Sequence, residues 1–575
     1  MEQSSLTQYH HYIPQFILRR FAVPSSSTPT QKHGKKRPKN TKGNELVNTI
    51  DLCNMPPVIN KALVKRTFGM QDMYKDTNKF KITDQMHMER KLGAIEQTAS
   101  RVLARVADAH KDGKEGISLS RPDKDLLRKF SFVMKYRSPI FFRRFDHQVS
   151  EDYDSDDRTQ FLAYMREKGF RRPLDVWFDN LIKIIDTEMD PAGKWLINLF
   201  NHIYPGDATW LFMNVRSMHL VFVSSFDPSE EFILTENAFG IHEGPVSYSV
   251  DHVTGEETMT AYTEFHILNI ISPHLAMLLR HNSLPEPMED MNTELRDQKR
   301  EMWAQQARLH NDPHHATSLL EDLPVAEAKN SYTVVVNGRP ALAEGADGKL
   351  RASDRFHFTF FRLESRHVQT INSILLNEAH KISIIVFKSE RAFRAALEFY
   401  INYPSGNKGG HSLKALGLRP DDPRSMLLVK LVAVARLLGS DINATCEAEP
   451  ATNSEEAPEF EEIVLQVLRT ATPTHSNHPL SLSMTVLVEI VQRSKFTIGA
   501  MYMVDRTLQD DGQPDYPDIV FEVVQKADPK YFNQHTATLR NLGLPTWRIG
   551  WHALVKRYLE ASEQIVTQDK HTMGI

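Results

Sequence analysis

Residues 85–110, QMHMERKLGAIEQTASRVLARVADAH, carry a strong helical pattern. Their apolar side chains recur at spacings of three and four, which places them on one face of an α-helix. They are Met88, Leu92, Ile95, Ala99, Val102, Leu103 and Val106. This stretch predicts an amphipathic helix whose stripe is buried against a core, and it favours a first unit built mainly from helices.

A second helix is predicted to begin at Ser120, because serine is a good N-cap, Pro122 suits the first turn and Asp123 stands three residues after the cap. Pro139 is expected to end or kink this helix. Further helical pattern covers residues 158–200.

Short runs of aromatic and branched residues after position 200 predict strands at 210–213, 220–223 and 232–234. A helix near 273–280 is expected to close the first unit. In the second half we expect strands at Tyr332–Val336 and Ile382–Phe387, and helices at Arg366–Ala379 and Arg391–Tyr400.

These elements predict an α+β protein that is predominantly helical. A helical bundle would pack against a small sheet in the first unit, and the C-terminal half would be helix-rich. The expected units are a core domain at 1–285 with a basic loop at 25–44, a charged helix and linker at 286–330, an α/β segment at 331–446, an acidic linker at 447–461 and a helix-rich region at 462–575.

Composition limits the class of protein. The 575 residues include 69 basic and 73 acidic side chains, and the near balance does not support a chain built to coat nucleic acid, although a local basic patch could still bind it. Only Cys53 and Cys446 are present, so neither a disulfide framework nor a cysteine zinc site is expected. No apolar run is long enough for a membrane span. We expect a soluble intracellular protein.

The cluster Lys35–Lys39 has the composition of a nuclear-import signal, and the alternative is a solvated basic loop. Cytoplasmic and nuclear locations are therefore both expected.

A seven-residue stretch near the N-terminus, HHYIPQF at 10–16, carries a family resemblance together with LRRF at 18–21. Both resemble the signature of domain-of-unknown-function family 4238, found in fungi and bacteria. Later segments fit the same family in the same order: Phe68–Tyr74, Glu89, Ile95-Glu96, Tyr136–Pro139, Phe232–Asn237 and Ile271–Pro273. The resemblance spans residues 9–280 and implies a fungal or bacterial protein, but it implies no activity.

One segment departs from the family pattern. Where the family has Asp-Asn-Pro after Ser or Thr, this chain has Glu236-Asn237-Ala238 after Thr235. The carboxylate is one methylene longer and the proline is lost. Glu236 and Asn237 follow an apolar strand, where an acid and an amide suit substrate or metal binding, or a plain turn.

The adjacent histidines His10 and His11 cannot bind one metal ion together, because neighbouring side chains point to opposite sides of a strand and diverge by about 100° in a helix. One of them could act as a general acid or base, since histidine titrates near neutral pH. The alternative is that one packs at the entry of the chain and the other is solvated.

Arg137 falls on the apolar face of the second helix, where a guanidinium requires carboxylate or phosphate partners. Glu89 and Glu96 are the candidate partners, about 10 Å apart along their helix, which is too far to share one small metal ion. A structural ion-pair network and a functional site both fit this arrangement. The same constellation could include Arg20, Asp72 and Tyr74.

The sequence leaves two functions open. The first is a non-catalytic binding or regulatory module in which the polar residues form a structural network; the absence of a recognised catalytic motif favours it. The second is a hydrolase or nuclease-like enzyme acting on a phosphate-containing substrate, with His10 or His11, Arg137, Glu236 and Asn237 at its site. The sequence identifies no cofactor, metal or partner.

Overall fold

In the structure, a computed structural model, the described residues form two larger β-sheets, three two-stranded sheets and a group of packed helices. It describes residues 8–24, 44–76, 85–155, 157–250, 257–286, 293–313, 316–336, 339–403, 414 and 423–442. The helices are α1 Gln15–Leu18, α2 His87–Lys111, α3 Arg121–Tyr136, α4 Pro139–Arg143, α5 Arg158–Lys168, α6 Pro173–Asp186, α7 Lys194–His202, α8 Pro205–Arg216, α9 Thr293–Ala307, α10 Ser365–Asn377, α11 Glu390–Asn402 and α12 Pro423–Leu437.

The strands range from two to nine residues in length. They are β1 Tyr9–His11, β2 Leu46–Asp51, β3 Val58–Leu63, β4 Gly69–Gln71, β5 Gly116–Ser120, β6 Met218–Ser225, β7 Leu234–Thr235, β8 His242–Glu243, β9 Val246–Val250, β10 Glu257–Tyr262, β11 His266–Ser272, β12 Leu275–His281, β13 Lys329–Asn330, β14 Thr333–Val336, β15 Arg339–Leu342, β16 Arg355–Leu363 and β17 Ile384–Phe387.

The long helix predicted from the opening stretch is confirmed as α2. All seven residues of its predicted stripe are buried. The neighbouring helix α3 packs against α2, α6 and α8, and Phe130 at its centre is fully buried. This group of helices supplies the surface on which Arg137 and the two glutamates of α2 meet.

Helix α3 begins at the predicted N-cap. Ser120 Oγ accepts a hydrogen bond from the backbone N–H of Asp123, and the Asp123 carboxylate accepts one from the backbone of Ser120. This reciprocal pair satisfies two amide groups that the first turn of a helix would leave without partners.

Ser120→Ala is expected to lower the free energy of unfolding by about 1 kcal/mol, because the Asp123 N–H loses its acceptor. Urea denaturation followed by circular dichroism measures the change. Ser118→Ala, at an exposed position in β5, is the control and should stay within about 0.5 kcal/mol of the wild type. Equal stability of the two variants would contradict a role for the cap.

The largest sheet has seven strands in the order β13-β16-β6-β12-β11-β8, with β5 paired to β16. It is a mixed sheet, because β16 runs parallel to β6 while its other pairs are antiparallel. Every residue of β12 is buried. A second sheet has the order β3-β2-β17-β7.

The expected predominantly helical fold is therefore wrong: the described chain is a mixed α/β structure with a seven-stranded sheet, rather than a helical bundle on a small sheet. The prediction of the fold failed because strands that are far apart in the sequence pair with each other. β16 lies beside β6, and β17 lies between β2 and β7, so strands after position 350 complete sheets begun before position 240.

Two local predictions are also wrong. Residues 210–213 lie in α8, where Pro205 occupies the first turn and starts a helix. Residues 275–281 form β12 instead of a helix, since the short apolar run 275–279 fits a strand buried on both faces equally well. The strand predictions at 220–223, 332–336 and 382–387 are confirmed within two residues by β6, β14 and β17.

Several predictions fall outside the described residues. They include the basic cluster Lys35–Lys39, the acidic linker 447–461 and the helix-rich region 462–575. The domain boundaries at 285 and 330 stay predictions. Among the described helices, none combines the length and the apolar character required to cross a membrane.

Candidate functional site

The two histidines of the opening motif lie on β1, which pairs with β4 in antiparallel register. His10 is opposite Met70 and His11 is opposite Gly69. A Cβ atom at Gly69 would lie 2.4 Å from the Tyr9 ring and 2.6 Å from the His10 carbonyl oxygen, so the close approach of the two strands requires glycine. The alternation of the strand buries His10 and leaves His11 partly exposed.

His10 is held inside the protein by Tyr74. Its Nδ1 accepts a hydrogen bond of 3.0 Å from the Tyr74 backbone N–H, and the two rings stack with centroids 5.2 Å apart. Burial lowers the pKa of His10, so the ring is neutral with its proton on Nε2. That Nε2 is buried and has no acceptor among the described residues.

Both ring nitrogens of His11 form hydrogen bonds within the chain. Nδ1 lies 3.1 Å from the Thr67 carbonyl oxygen, which can only accept, so Nδ1 donates and Nε2 is the acceptor for the Gln15 side-chain amide at 3.0 Å. Burial lowers the pKa of His11, and the charges of Arg137 and Arg19 lower it further. The imidazole is therefore neutral near pH 7.

The segment opposite the histidines has an unusual backbone. Phe68 and Asp72, at the two ends of β4, have φ angles of 56° and 54°, in the left-handed region that side chains other than glycine rarely adopt. Each residue carries a strain of about 1–2 kcal/mol. Hydrogen bonds hold both in place: the Phe68 carbonyl accepts from Tyr12 N–H, and the Asp72 carboxylate accepts from Gln8 N–H.

Arg137 lies directly after α3 and is fully buried. Its Nη1 donates to Glu96 Oε1 at 2.6 Å, and its Nη2 lies 3.1 Å from the Met134 sulfur. Burial lowers the pKa of Arg137, but Tyr74 and Glu96 raise it by more, so the guanidinium stays charged. Its Nε is buried without an acceptor among the described residues.

Glu89 and Tyr74 complete the surroundings of Arg137. Burial raises the pKa of Glu89, and the neighbouring Glu96 charge raises it further. The Tyr74 hydroxyl donates to the His11 carbonyl oxygen at 3.3 Å, which connects β1 to this group. We name the five residues His11, Tyr74, Glu89, Glu96 and Arg137 the motif cluster.

Glu236 and Asn237 lie in a second group that Tyr12 joins to the motif. Glu236 Oε2 accepts from the Ser383 backbone N–H at 2.9 Å, and the Tyr12 hydroxyl hydrogen-bonds the same carboxylate. Asn237 accepts from the Thr235 hydroxyl and donates to the Glu378 carbonyl. These contacts tie the end of β7 to the segment before β17.

Arg20 lies apart from both groups. Its guanidinium donates to the Leu103 carbonyl oxygen, toward the other end of α2, and burial lowers its pKa. Among the described residues, no three His, Cys, Asp or Glu side chains lie close enough to hold one metal ion.

The chain was compared with protein families, curated proteins and solved structures. The family described as Protein of unknown function (DUF4238) matches residues 9–391. The chain belongs to this family. The comparisons with curated proteins and with solved structures gave no match.

The DUF4238 match extends about 110 residues beyond the span of the sequence resemblance. It includes β16 and β17, which complete the two larger sheets. The family unit therefore contains the strands whose neighbours in the sheets the sequence pattern did not indicate. It ends before α12 begins at Pro423.

Within the DUF4238 match, sequence reasoning missed three partners of the predicted site residues. They are Gln15, Arg19 and Thr67. Gln15 and Arg19 are four residues apart, a spacing at which side chains on one helical turn meet, and this signal was present in the motif. His11 lies on β1, so its contact with Gln15 has no such signal. Thr67 acts through its backbone carbonyl, which leaves no signal in the sequence.

Proposed function

We propose that the DUF4238 chain is a non-catalytic binding module that pairs an extended segment of a partner protein with its exposed β14–β15 hairpin. The observation that carries this proposal is the exposure of three consecutive valines on β14. The exposed fractions are 46% for Val334, 76% for Val335 and 52% for Val336, and Leu342 on β15 is 53% exposed.

The hairpin is a two-stranded sheet, and among the described strands no third one pairs with it. A ribbon of two strands is marginally stable in water, and its unpaired backbone groups are a template for another strand. An added strand would satisfy those N–H and C=O groups and cover the valines. This is the recognition mode in which a peptide extends a sheet, with backbone hydrogen bonds for affinity and side chains for specificity.

The motif cluster favours a module over an enzyme. Both ring nitrogens of His11 have partners within the chain, and Arg137 is fully buried with its charge matched by Glu96. A general base must reach a substrate proton, and an anion-binding guanidinium must present N–H groups to the ligand. Instead, the contacts of His11 hold β1 to Thr67 and Gln15, and the contact of Arg137 with Glu96 holds α3 to α2.

The hairpin lies within residues 9–391, so it belongs to the part of the chain that the family shares. We therefore assign the binding role to the family domain.

Val335→Asp is expected to weaken peptide binding at least about tenfold, which corresponds to about 1.4 kcal/mol. The probe is a phage-displayed library of linear peptides selected on the full wild-type chain, and affinities of the enriched peptides are measured by titration calorimetry. The reason is that a charge in the centre of β14 opposes burial of the added strand.

Val58→Asp is the matched control, because Val58 is also an exposed valine, at 40%, on the edge strand β3 of the four-stranded sheet. It should leave peptide affinity unchanged. Failure to enrich any peptide, or equal losses in the two variants, contradicts the proposal. So does a wild-type dimer in sedimentation that Val335→Asp converts to monomer, since a second copy would then occupy the edge.

A second candidate function is the hydrolase or nuclease-like enzyme, and one observation favours it. The motif cluster brings a neutral histidine and a glutamate of raised pKa together around one arginine, and Glu89, Glu96 and His11 are partly exposed. Perturbed titration of this kind is frequent at catalytic sites. The stability of an Arg137 variant, argued in the Discussion, separates this candidate from the module.

A further inference from the structure

Lys124 lies near the start of α3 between two arginines. Arg121 stands three residues before it and Arg128 four residues after it, spacings at which side chains on one face of a helix are neighbours. The Lys124 side chain is 12% exposed, and its nitrogen lies 3.8 Å from the centroid of the Phe356 ring, whose face attracts a cation. The helix therefore places a nearly enclosed amine between two positive charges.

The Lys124 nitrogen makes no hydrogen bond to any described residue. Asp125 Oδ1 is 3.9 Å away, which is beyond hydrogen-bonding distance. The other two lysines of α3 have acceptors: Lys129 donates to two backbone carbonyls at 2.8 Å, and Lys135 donates to Glu264 at 2.7 Å. Because an enclosed ammonium without acceptors is costly, the contacts of Lys124 favour the neutral amine.

The electrostatic surroundings act in the same direction and lower the pKa of Lys124 to about 7. Burial is the main cause, and the positive charges of Arg128 and Arg121 add to it. The carboxylates of Asp125 and Glu327 oppose the shift without cancelling it. Most of the amine is therefore unprotonated at pH 7.5, and an unprotonated amine is a nucleophile.

A second group beside Lys124 also lacks a partner. The Nη1 and Nη2 atoms of Arg128 donate to the carbonyl oxygens of Val215 and Met218. Its Nε is buried and has no acceptor in the part of the chain that the structure describes. A buried donor without an acceptor is destabilising, and an anionic group attached to the neighbouring Lys124 would supply one.

We propose that Lys124 is a carbon dioxide site, at which its neutral amine forms a carbamate that Arg121 and Arg128 stabilise.

Carbamate formation requires no co-reactant. The amine nitrogen attacks the carbon of carbon dioxide, an N–C bond forms, and one C–O π-electron pair moves to oxygen. The nitrogen then releases one proton to water, so that the neutral amine and carbon dioxide give a carbamate anion and a proton. As an ammonium, Lys124 is repelled by Arg121 and Arg128; as a carbamate, it is attracted by both.

The small exposed fraction of Lys124 favours carbon dioxide over larger electrophiles. With 12% of its side chain exposed, Lys124 presents little surface to a bulky acyl thioester or a sugar aldehyde, whereas carbon dioxide has only three atoms. The charge of the product points the same way. Acylation would leave a neutral amide that gains nothing from Arg121 and Arg128, whereas a carbamate carries the negative charge that guanidinium groups bind.

Chemical trapping of the carbamate in the full chain tests the proposal. The protein is equilibrated at pH 7.5 with carbon-13-labelled carbon dioxide, carbamates are ethylated with triethyloxonium tetrafluoroborate, and the labelled lysines are quantified by mass spectrometry. Lys114 is the internal control, because its side chain is 62% exposed and therefore far more accessible than that of Lys124. Lys124→Arg is the control variant, since it keeps the positive charge and removes the nucleophile.

We expect at least about ten times more trapped carbamate at Lys124 than at Lys114, because an ordinary lysine amine is almost fully protonated at this pH. The carbamate signal in the carbon-13 NMR spectrum of the wild type should be absent from Lys124→Arg. Equal labelling of the two lysines, no label at Lys124, or an undiminished NMR signal in Lys124→Arg would overturn the proposal.

Arg128→Gln tests the stabilising charge. Provided that its circular dichroism matches the wild type, this variant should trap several times less carbamate at Lys124, because the product loses a cation and the amine loses a charge that favours its neutral form. An undiminished yield in the folded variant would contradict the role of Arg128. If the variant does not fold, the comparison of Lys124 with Lys114 in the wild type decides the proposal.

Discussion

Arg137→Ala is expected to lower the free energy of unfolding by about 3 kcal/mol. The guanidinium is fully buried and its Nη1 donates to Glu96 at 2.6 Å, so the truncation leaves a half-buried carboxylate without its cation. Glu89 also loses the positive charge of Arg137, which favours its ionised form. Because Glu96 keeps 26% of its side chain exposed, water recovers part of its solvation, and the loss stays at the low end for a broken buried pair.

Urea denaturation at pH 7.5 measures this loss, with Arg19→Ala as the matched control. Arg19 also bonds a motif residue, Gln15, and lies 3.8 Å from Glu45, but its side chain is 35% exposed. Its truncation should cost less than about 1 kcal/mol.

The Arg137→Ala variant also separates the two candidate functions. If Arg137→Ala is as stable as the wild type but loses a thermal shift that inorganic phosphate gives the wild type, the motif cluster is an anion site and the enzyme gains support. A destabilised Arg137→Ala, with no phosphate response in the wild type, is the result expected for a structural cluster.

A feature of this structure is predictable from the sequence when the residues that determine it lie close together along the chain. The stripe on α2 and the cap at Ser120 were predictable because their partners lie within four residues along the chain. The seven-stranded sheet was not, because β16 pairs with β6 across more than 130 residues and only the neighbours of a buried strand show where it lies.

In the candidate site, too, some features follow from the sequence and others depend on contacts between distant residues. That His10 and His11 point to opposite sides follows from the period of a strand, and the contact of Arg137 with Glu96 follows from the high cost of an unpaired buried guanidinium. The strained backbone at Phe68 could not be foreseen, since a bulky residue is among the least favoured at positive φ. The Phe68 carbonyl accepts a hydrogen bond from the backbone N–H of Tyr12, a partner far away along the chain.

Stability is also expected to fall steeply as the pH drops from 7.5 to 5.0, because two histidines are buried in the neutral form. Burial lowers the pKa of His266 to about 4 and that of His281 to about 3. In the unfolded chain both return to about 6.5. Between pH 6.5 and 4 the unfolded state therefore binds protons that the folded state does not, and the free energy of unfolding decreases with pH.

His281 isolates this effect, because its ring hydrogen-bonds Ser283 and removing the ring leaves no buried charge. Between pH 7.5 and pH 5.0, each histidine that is buried in the neutral form lowers the free energy of unfolding by about 2 kcal/mol. His281→Asn should therefore lose about 2 kcal/mol less than the wild type over this interval in urea denaturation. Ser283→Ala lowers stability but keeps the titrating ring, so its pH profile should follow the wild type. A His281→Asn profile parallel to the wild type would show that this ring does not titrate on unfolding.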